Sequence, residues 1–566
     1  MIKRLRLYLL MGALFGAVSC GKDDVPPPLK LQAPVVAVSA GTPSETGEYR
    51  LKTGESITLT AVIDYADKPV YSWVIDGKIV STETGYTFVA GSVGEYFVNF
   101  RVDAENGSAE TQVKISVLDR LSPQITLNGT EMAFAGVDKE FVAEAENAEN
   151  ATYVWRLGGE IVSETASYTF NRTEMGNYTL SLKVITENGQ DLKGITVTVL
   201  PAPLPELFFD DGRYRTVSNA AELRKMTVPI GKSLVLAPVI CNIASPTTFV
   251  WTVDGAAQAA TGEYLTFTPT SQGAYRIAVS EQSTGARAEV EVTCTPPEGT
   301  YRRTGGVKAY PTQAVDYIPA PGQFVDYQLG TTKAKALQDL QKWCADSTSG
   351  FFHIGAYGGY YIVGFDHSVS NEPGKADLFI DGNPLGASWC ESGIVWVMQD
   401  ENGNGLADDT WYELKGSETG KPETKQRCAM TYYRPKAANS NTLWTDNTGR
   451  TGSVDKNGYH NQQYYFPMFI TEDYYTLTGT CLASTAGMSG TTETSSCYEW
   501  GYADAISSNP TRPNKQFWIE DAIQVDGTPA SLQYIDFVKV HTGTTGKGSA
   551  VGEISTEAFS LRDINF

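Results

Sequence analysis

The sequence has few of the residue patterns that metal-dependent or nucleophilic catalysis requires. It contains four histidines in 566 residues, namely His353, His367, His460 and His541. No two of them stand at the HxH, HxxxH or HExxH spacing of transition-metal sites. No G-x-S-x-G segment marks a serine nucleophile, and no two of the many carboxylates are singled out as a glycosidase pair. We therefore expect a protein that is not an enzyme.

Long apolar segments and excess positive charge are also missing. Beyond the first twenty residues, no apolar run approaches the roughly 18 residues that a membrane-spanning helix needs. The 44 Lys and Arg residues are outnumbered by 65 Asp and Glu residues, which gives a formal net charge of -21. A nucleic-acid-binding surface must neutralise phosphates with basic side chains. The charge balance therefore predicts no nucleic-acid partner.

The amino terminus has the features of an export signal. A basic stretch and a short apolar stretch precede Ala17-Val18-Ser19-Cys20, which is similar to a lipobox. We expect residues 1–19 to be a lipoprotein signal peptide and 20–30 to be a lipidated Cys20 followed by a spacer. An ordinary secretory peptide with a chance cysteine is the alternative. Gly21-Lys22-Asp23-Asp24 resembles the acidic tag of Bacteroidota surface lipoproteins, which predicts a location on the outer face of the outer membrane, held by the lipid anchor only.

The other seven cysteines can form disulfides outside the cytoplasm. Cys241 and Cys294 lie in one module, where they could bridge its two sheets. Cys481 and Cys497 could close a loop. The remaining three, at positions 344, 390 and 428, have no zinc-site spacing and no obvious partners.

A repeat is the clearest internal signal in the chain. Trp73, Trp155 and Trp251 each open an alternating strand, and each strand is followed by a G-x-Y segment. This pattern is typical of small β-sandwiches with a buried Trp, and it resembles PKD-like and related immunoglobulin-like modules. We expect the Trp side chains to lie in cores rather than to bind a ligand. The predicted modules, which we interpret as spacers, are residues 31–118, 119–201 and 202–297.

Residues 298–566 have a different composition and predict a separate ligand-binding domain. They hold 18 of the 30 Tyr and seven of the ten Trp residues. Period-two strands dominate, one helix is expected at Thr331 to Trp343, and residues 416–426, 438–458 and 482–496 are predicted loops. The predicted fold class is all-β or mainly β. Three tandem immunoglobulin-like sandwiches precede a larger mainly-β C-terminal domain with long loops and a short helix.

The segment Asp400 to Asp409 predicts a calcium loop. Oxygen-bearing side chains stand at positions 1, 3 and 5, with Gly at position 6, as a hard cation requires. The Glu expected at position 12 is missing, since Trp411 stands there, and an Asx-rich turn is the alternative. An ion here would have a structural role. Its predicted ligands are Asp400, Asn402, Asn404, Leu406 (through its carbonyl), Asp408 and Asp409.

Aromatic and amide side chains are dense in this domain. Adjacent aromatic residues on a strand point to opposite faces, so some must face solvent. Such a surface suits a large ligand with apolar faces and an amide-rich rim, and it suits sugars equally well. The predicted contacts are Trp389, Tyr459, His460, Gln462, Tyr464, Trp500 and Tyr502.

Several segments of the C-terminal domain resemble a known family. GGYYIVGFDHSV, GIVWVMQDENGNGLADDTWYELKGSE, Tyr432-Tyr433-Arg434-Pro435 and Trp500-Gly-Tyr-Ala-Asp504 are similar to the C-terminal domain of Bacteroidota surface lipoproteins with PKD-like modules. Within that group, the BtuH family binds vitamin B12. The resemblance implies that the C-terminal domain captures cobalamin and passes it to a TonB-dependent outer-membrane transporter. The alternative is a glycan-binding surface lipoprotein of a polysaccharide-utilisation system.

Overall fold

The computed structural model describes residues 32–40, 48–119, 121–127, 130–345, 350–489, 492–548 and 551–566. The predicted signal peptide and Cys20 lie outside these ranges. Within them, no helix has both the length and the apolar character needed to cross a membrane.

The chain divides into two compact units, and the boundary falls inside the second sandwich. The first unit contains the first sandwich together with Phe141–Tyr168 and Leu180–Gly194. The second contains Gly129–Glu140, Thr169–Thr179 and Ile195–Phe566. Everything that bears on the candidate site belongs to the second unit.

Three sandwiches precede the C-terminal domain. The strands of the first are β1 (Val35–Ser39), β2 (Tyr49–Lys52), β3 (Ser56–Asp64), β4 (Val70–Ile75), β5 (Lys78–Ser81), β6 (Gly85–Val89), β7 (Gly94–Ala104) and β8 (Gly107–Leu118). Those of the second are β9 (Gln124–Ile125), β10 (Thr130–Phe134), β11 (Lys139–Val142), β12 (Ala145–Glu146), β13 (Thr152–Leu157), β14 (Glu160–Ser163), β15 (Ser167–Phe170), β16 (Gly176–Thr186) and β17 (Gly189–Leu200). Those of the third are β18 (Glu206–Phe208), β19 (Arg215–Thr216), β20 (Arg224–Pro229), β21 (Leu234–Leu236), β22 (Val239–Cys241), β23 (Phe249–Val253), β24 (Ala256–Ala257), β25 (Leu265–Phe267), β26 (Gly273–Glu281) and β27 (Arg287–Thr295).

The three sandwiches share one sheet topology. Their five-stranded sheets run β2-β8-β7-β4-β5, β10-β17-β16-β13-β14 and β20-β27-β26-β23-β24. In each, the first pair is parallel and the central hairpin is long. The fourth strand in each of these sheet orders (β4, β13 or β23) carries the repeated Trp. Trp73, Trp155 and Trp251 are fully buried, so the prediction that they are core residues is confirmed.

The tyrosine of each G-x-Y segment closes a local hydrogen bond. Tyr96 donates its hydroxyl to the carbonyl of Ser92 at 2.9 Å, and Tyr275 does the same to Ser271 at 2.8 Å. In the second sandwich the acceptor is the carbonyl of Glu174. A tyrosine that bonds to backbone a few residues upstream is a feature of immunoglobulin-like sandwiches.

The C-terminal domain contains all the described helices. Its elements are β28 (Gln313–Ile318), α1 (Lys333–Ala345), β29 (Phe352–His353), β30 (Tyr360–Ser370), β31 (Leu378–Ile380), β32 (Gly393–Met398), β33 (Trp411–Leu414), β34 (Lys425–Tyr433), β35 (Thr442–Asp446), β36 (Thr451–Val454), β37 (Tyr474–Cys481), β38 (Ala486–Ser489), β39 (Thr492–Ser495), β40 (Gln516–Phe517), a 3-10 turn (Ile519–Asp521), β41 (Ala522–Ile523), β42 (Tyr534–Thr542), β43 (Glu557–Ala558) and β44 (Leu561–Asp563).

Two sheets and one helix build the core of this domain. A six-stranded sheet runs β28-β30-β42-β32-β33-β41, and a five-stranded sheet runs β19-β37-β34-β35-β36. One face of the six-stranded sheet packs with α1 around residues such as Val363, Val397 and Val540. Residues such as Tyr360 on the other face pack with Tyr475 and their neighbours on the five-stranded sheet. Apolar burial on both faces explains why β42 is buried along its whole length.

The third sandwich is joined to the C-terminal domain and is more than a spacer. Its strand β19 pairs antiparallel with β37 and extends the five-stranded sheet. Thr227 and Thr410 are buried and bond to each other reciprocally, and Lys539 donates to the carbonyl of Gly212 at 2.6 Å. Since these contacts bury polar groups of both parts, we expect the two to fold together.

Several sequence predictions are met and several are corrected. The expected helix forms, two residues later than predicted at both ends, with the Thr332 hydroxyl accepting the backbone N–H of Lys335 at 3.2 Å. Residues 438–458 and 482–496 are not only loops, because they contain the antiparallel pairs β35–β36 and β38–β39. Gly, Asn and Thr in these segments lie in short hairpins rather than in unstructured chain.

Neither of the two cysteine pairings that the sequence left open forms. The disulfide joins Cys390 to Cys497, whose Cα atoms are 5.1 Å apart, within the usual range. Cys241, Cys294 and Cys481 are buried free thiols. Cys241 and Cys294 act as small apolar core residues instead.

The three buried Trp residues differ in one hydrogen bond, which gives a matched pair of variants. The indole of Trp73 donates to the carbonyl of Glu83 at 3.0 Å, whereas that of Trp155 has no partner. Trp73→Phe should therefore lower the local opening free energy by about 0.5–1.5 kcal/mol more than Trp155→Phe, since only the first change removes a hydrogen bond. Hydrogen exchange of the β4 and β13 peptides measures both, and equal losses would contradict this account.

Candidate functional site

Loops from distant parts of the chain meet at one end of the six-stranded sheet. Strands β30 and β32 begin at this end, and β28 and β42 finish there, because neighbouring strands are antiparallel. The loops that precede or follow these strands are therefore brought side by side. They supply part of the candidate site, and the loop between β36 and β37 supplies the rest.

Five rings form a continuous series across these loops. Phe559 stacks on Phe351 at 4.7 Å, and Phe351 lies 5.5 Å from His353. His353 stacks on Phe324 at 4.1 Å, and Phe324 meets His460 edge-on at 4.5 Å. We call these five residues the ring face. Phe351 is 39% exposed, and His353 alone is buried.

The chain around His460 is fixed to the ring face by Gln323. Its side chain donates to the carbonyl of Val551 at 2.6 Å and accepts from Asn457 at 2.6 Å. Its backbone carbonyl accepts from the side chain of Gln462. The Asn457 carboxamide oxygen in turn accepts the backbone N–H groups of Tyr459 and His460. The hydrogen bonds of Gln323 and Asn457 therefore hold the loop around His460 in place.

Four of the seven predicted contacts come together here. Tyr459, 76% exposed, and Tyr464, 40% exposed, lie in the same loop as His460 and Gln462. The Gln462 amide nitrogen is used in holding this loop, as described above. Large exposed apolar groups that share a small region are typical of binding surfaces.

The other three predicted contacts lie in other segments of the chain, and the residues that they contact are not those of this loop. Trp389 forms an isolated bridge with Ser495 beside the disulfide. Arg512 lies over the ring of Trp500 at 5.2 Å, and Tyr502 accepts the backbone N–H of Glu418 at 2.9 Å. The last two rings therefore have packing and hydrogen-bonding partners within the domain.

Sequence reasoning missed four of the ring-face residues. Phe351 and His353 flank Phe352 in one segment, but no spacing in the sequence links them to Phe324 or Phe559. Gln323 is also unremarkable in sequence, although it makes contacts with segments more than a hundred residues away. Only the density of aromatics in the domain as a whole pointed to such a surface.

The Asp400 loop connects β32 to β33 and has the hydrogen bonding of a cation loop. The Asp400 carboxylate accepts the N–H groups of Gly403 at 2.8 Å and of Gly405 at 2.9 Å. Asn402 and Asn404 accept N–H groups two residues further on. Turns of this kind direct several oxygens towards one centre.

The same loop carries negative charge that no side chain offsets. No Lys or Arg within the described ranges forms an ion pair with Asp400, Asp408 or Asp409. Burial, with Asp408 and Asp400 nearby, raises the pKa of Asp409 to about 7. Asn402 and Asn404 donate their amide N–H groups to the carboxylate of Asp408. A bound cation would take the place of these N–H groups at that carboxylate. The donor set therefore fits a hard cation, although its three carboxylates do not converge within 4.8 Å of one another.

Two of the cavities elsewhere in the second unit bear on the choice of ligand. A small one of about 100 Å³ is lined by Glu413, Trp396 and Lys539 and by residues of the third sandwich. A cavity of this size is too small for a large ligand. A larger one, of about 1040 Å³, is lined by the segment Pro201–Pro205 and by residues of the five-stranded sheet, including Tyr433 and Tyr474. The rings of Tyr433 and Tyr474 are 5.9 Å apart.

The PKD-like domain family matches residues 39–104 and 122–186. The chain therefore contains PKD-like modules, and the predicted mainly-β, immunoglobulin-like fold class is confirmed. No curated protein matches the chain.

Solved structures with similar folds contain immunoglobulin-like or fibronectin-like modules. Fibronectin(III)-like modules of Clostridium thermocellum CbhA share 15% identity, over 29% of this chain and 95% of theirs, with a TM-score of 0.18. An I-band fragment of titin shares 12% identity, over 47% of this chain and 99% of its own, with a TM-score of 0.15. At these scores the likeness carries no argument about function.

Glu413, in the small cavity, should make stability depend on pH. Burial raises its pKa to about 7 from an ordinary value of 4.5. Because the folded-state pKa is raised, its stabilising contribution is present below the unfolded pKa and is lost as the pH rises through about 7. Glu413→Gln removes this titration, and its oxygen can still accept from Thr480. We expect the variant to match the parent near pH 5 and to be more stable by about 3 kcal/mol near pH 8.

Thermal unfolding of both proteins at the two pH values checks this. A variant that is destabilised equally at both would contradict a protonated Glu413.

Proposed function

We propose that the protein is a surface lipoprotein that captures cobalamin at the ring face and passes it to a TonB-dependent transporter. The observation that carries this proposal is the continuous, partly exposed series of rings at the loop end of the C-terminal domain. The resemblance of the sequence motifs to a vitamin B12-binding family suggests the identity of the ligand. Lipidation at Cys20 supplies the attachment to the membrane.

The chemistry of the ring face suits a corrinoid. Apolar rings can lie against the flat faces of a large macrocycle, and each buried aromatic contact contributes strongly to binding. Amide side chains nearby, such as Asn457, can bond to carboxamides at the rim of the ligand. The pre-formed hydrogen bonds of Gln323 reduce the entropy that binding would cost.

The role is one of binding and not of catalysis. PKD-like and immunoglobulin-like modules are architectures that carry sites rather than provide chemistry. The neutral imidazole of His353, whose pKa burial lowers to about 3, is suited to stacking on Phe324 within the ring face.

A glycan is the second candidate ligand, and one observation favours it. Tyr433 and Tyr474 stand in the cavity of about 1040 Å³, where their rings could stack on sugars. Tyr474 is 40% exposed. This surface belongs to the five-stranded sheet and shares none of the residues of the ring face.

A titration with cyanocobalamin tests the proposal. The full chain with Cys20→Ser, which prevents lipidation, should bind one cyanocobalamin per chain. Phe351→Ala and Tyr464→Ala should each weaken binding about tenfold or more, because each removes an aromatic contact. Tyr474→Ala is the matched control, since Tyr474 is as exposed as Tyr464 but lies outside both the ring face and the loop of His460.

The opposite pattern would overturn the proposal. If cyanocobalamin does not bind and a glycan does, with loss only in Tyr474→Ala, the protein is a glycan-binding lipoprotein. Cobalamin binding that is insensitive to Phe351→Ala and Tyr464→Ala would place the ligand elsewhere.

We also propose that the Asp400 loop binds a structural calcium ion. Asp400, Asn402, Asn404, the Leu406 carbonyl and Asp408 or Asp409 would hold it. Their hydrogen-bond geometry and uncompensated charge support this. The ion would stiffen the connection between β32 and β33.

The double variant Asp400→Asn, Asp408→Asn, called the loop variant below, tests this proposal. Calorimetry with CaCl2 on chains stripped with a chelator should show one calcium ion fewer per chain in the loop variant, because two carboxylate ligands are lost. An unchanged number of bound ions would contradict a calcium site in the loop.

A further inference from the structure

Three carboxyl groups that are distant in sequence meet beside the ring face. Oxygens of Glu391, Asp504 and Glu557 lie within 4.8 Å of one another. Asp504 and Glu557 are buried, and Glu391 is partly buried. No other set of three or more His, Cys, Asp or Glu side chains converges in this way in the ranges that the structure describes.

The backbone holds this acidic trio firmly. Asp504 accepts the N–H of Glu557 at 2.8 Å, and Glu391 accepts the N–H of Ser555 at 3.1 Å. The backbone N–H of Glu391 donates to the carbonyl of Asp504 at 3.2 Å. Asp504 itself has a φ of 52°, in the left-handed region that non-glycine residues seldom adopt. The strained backbone at Asp504 and these hydrogen bonds therefore hold three acidic side chains close together.

Like charges in a buried place need a counter-charge or protons. In the described part of the chain, no Lys or Arg forms an ion pair with any member of the trio. Lys515, which is nearby, is paired with Asp381 instead. His353 contacts Glu557 through Nε2 at 3.2 Å. No lysine or arginine side chain in the described ranges therefore neutralises the trio.

A separate observation shows that one oxygen is missing a partner. The Oε2 atom of Glu557 is buried and accepts no hydrogen bond, and the residue is only 8% exposed. A buried acceptor without a partner costs about 1–3 kcal/mol or more if charged. It is the kind of atom that a bound ion satisfies.

We propose that Glu391, Asp504 and Glu557 bind a hard divalent cation of the calcium class. Calcium prefers six to eight oxygen ligands at about 2.3–2.6 Å, so two ligands on opposite sides are about 5 Å apart. The spacing of the trio matches this limit. The all-oxygen donor set argues against a softer metal. This site shares no residue with the Asp400 loop and does not depend on the identity of the ligand at the ring face.

Through Glu557, the cation would also fix the ring face. Glu557 contacts His353, whose ring stacks on Phe324. Strand β43, which begins at Glu557, pairs with β29, which ends at His353. A cation on the trio would therefore hold together the segments that carry three of the five rings.

The experiment uses the full chain with Cys20→Ser in the loop variant background, so that the trio is the remaining candidate site. After removal of bound metal with a chelator, calorimetry with CaCl2 should show one calcium ion per chain. Glu391→Gln and Glu557→Gln, made separately in this background, should each abolish the heat of binding. Both changes remove charge and retain an oxygen for Ser555 or for His353.

Glu413→Gln is the matched control, because it replaces a buried carboxyl group outside the trio by the same amide and should leave calcium binding unchanged. Circular dichroism confirms the fold of each variant, and either trio variant that folds is sufficient. If the loop variant binds no calcium at millimolar concentration, the trio holds protons instead and the proposal is overturned. Calcium binding that persists in both trio variants overturns it too.

Discussion

The central strand of the C-terminal domain, β42, must be covered on both faces, and the rest of the structure meets that requirement. All nine of its residues are buried. Val538 and Val540 face an apolar core that α1 closes, and burial of these apolar side chains is favourable. Lys539 and His541 face the other way, and burial lowers the pKa of both. Lys539 finds its acceptor in the third sandwich, at the carbonyl of Gly212, whereas Nδ1 of His541 lies 3.0 Å from the carbonyl of Thr542 in its own strand.

This requirement explains why the third sandwich cannot be regarded as a detachable spacer. Its strand β19 completes the five-stranded sheet. The backbone carbonyl of Gly212 accepts a hydrogen bond from the ammonium group of Lys539. Removing the third sandwich would leave a buried cation without its acceptor and an edge strand exposed. Functional work on the C-terminal domain therefore has to retain the third sandwich.

The same sheet determines where the candidate site lies. Since antiparallel neighbours bring the starts of β30 and β32 to the end of β42, loops from distant segments become neighbours there. The ring face and the acidic trio are joined there by the contact of His353 with Glu557. Binding of a ligand and binding of a cation would then act on one connected set of side chains.

The sequence predicted the local features well and the long-range ones poorly. The Trp repeat and the G-x-Y segments revealed the sandwiches because their signals lie within one strand or hairpin. The pairing of Cys390 with Cys497, the contacts of Gln323 and the acidic trio depend on tertiary neighbours more than fifty residues away, for which no periodicity exists. The hairpin β35–β36 was missed because Gly, Asn and Thr are typical of both loops and short hairpins.

The most direct test is a crystal structure of the full chain, with Cys20→Ser, grown with cyanocobalamin and CaCl2. We expect the corrin ring to lie against Phe324, Phe351 and His460. Cyanocobalamin in the cavity lined by Tyr433 and Tyr474, or crystals that exclude it at concentrations far above micromolar, would contradict the account.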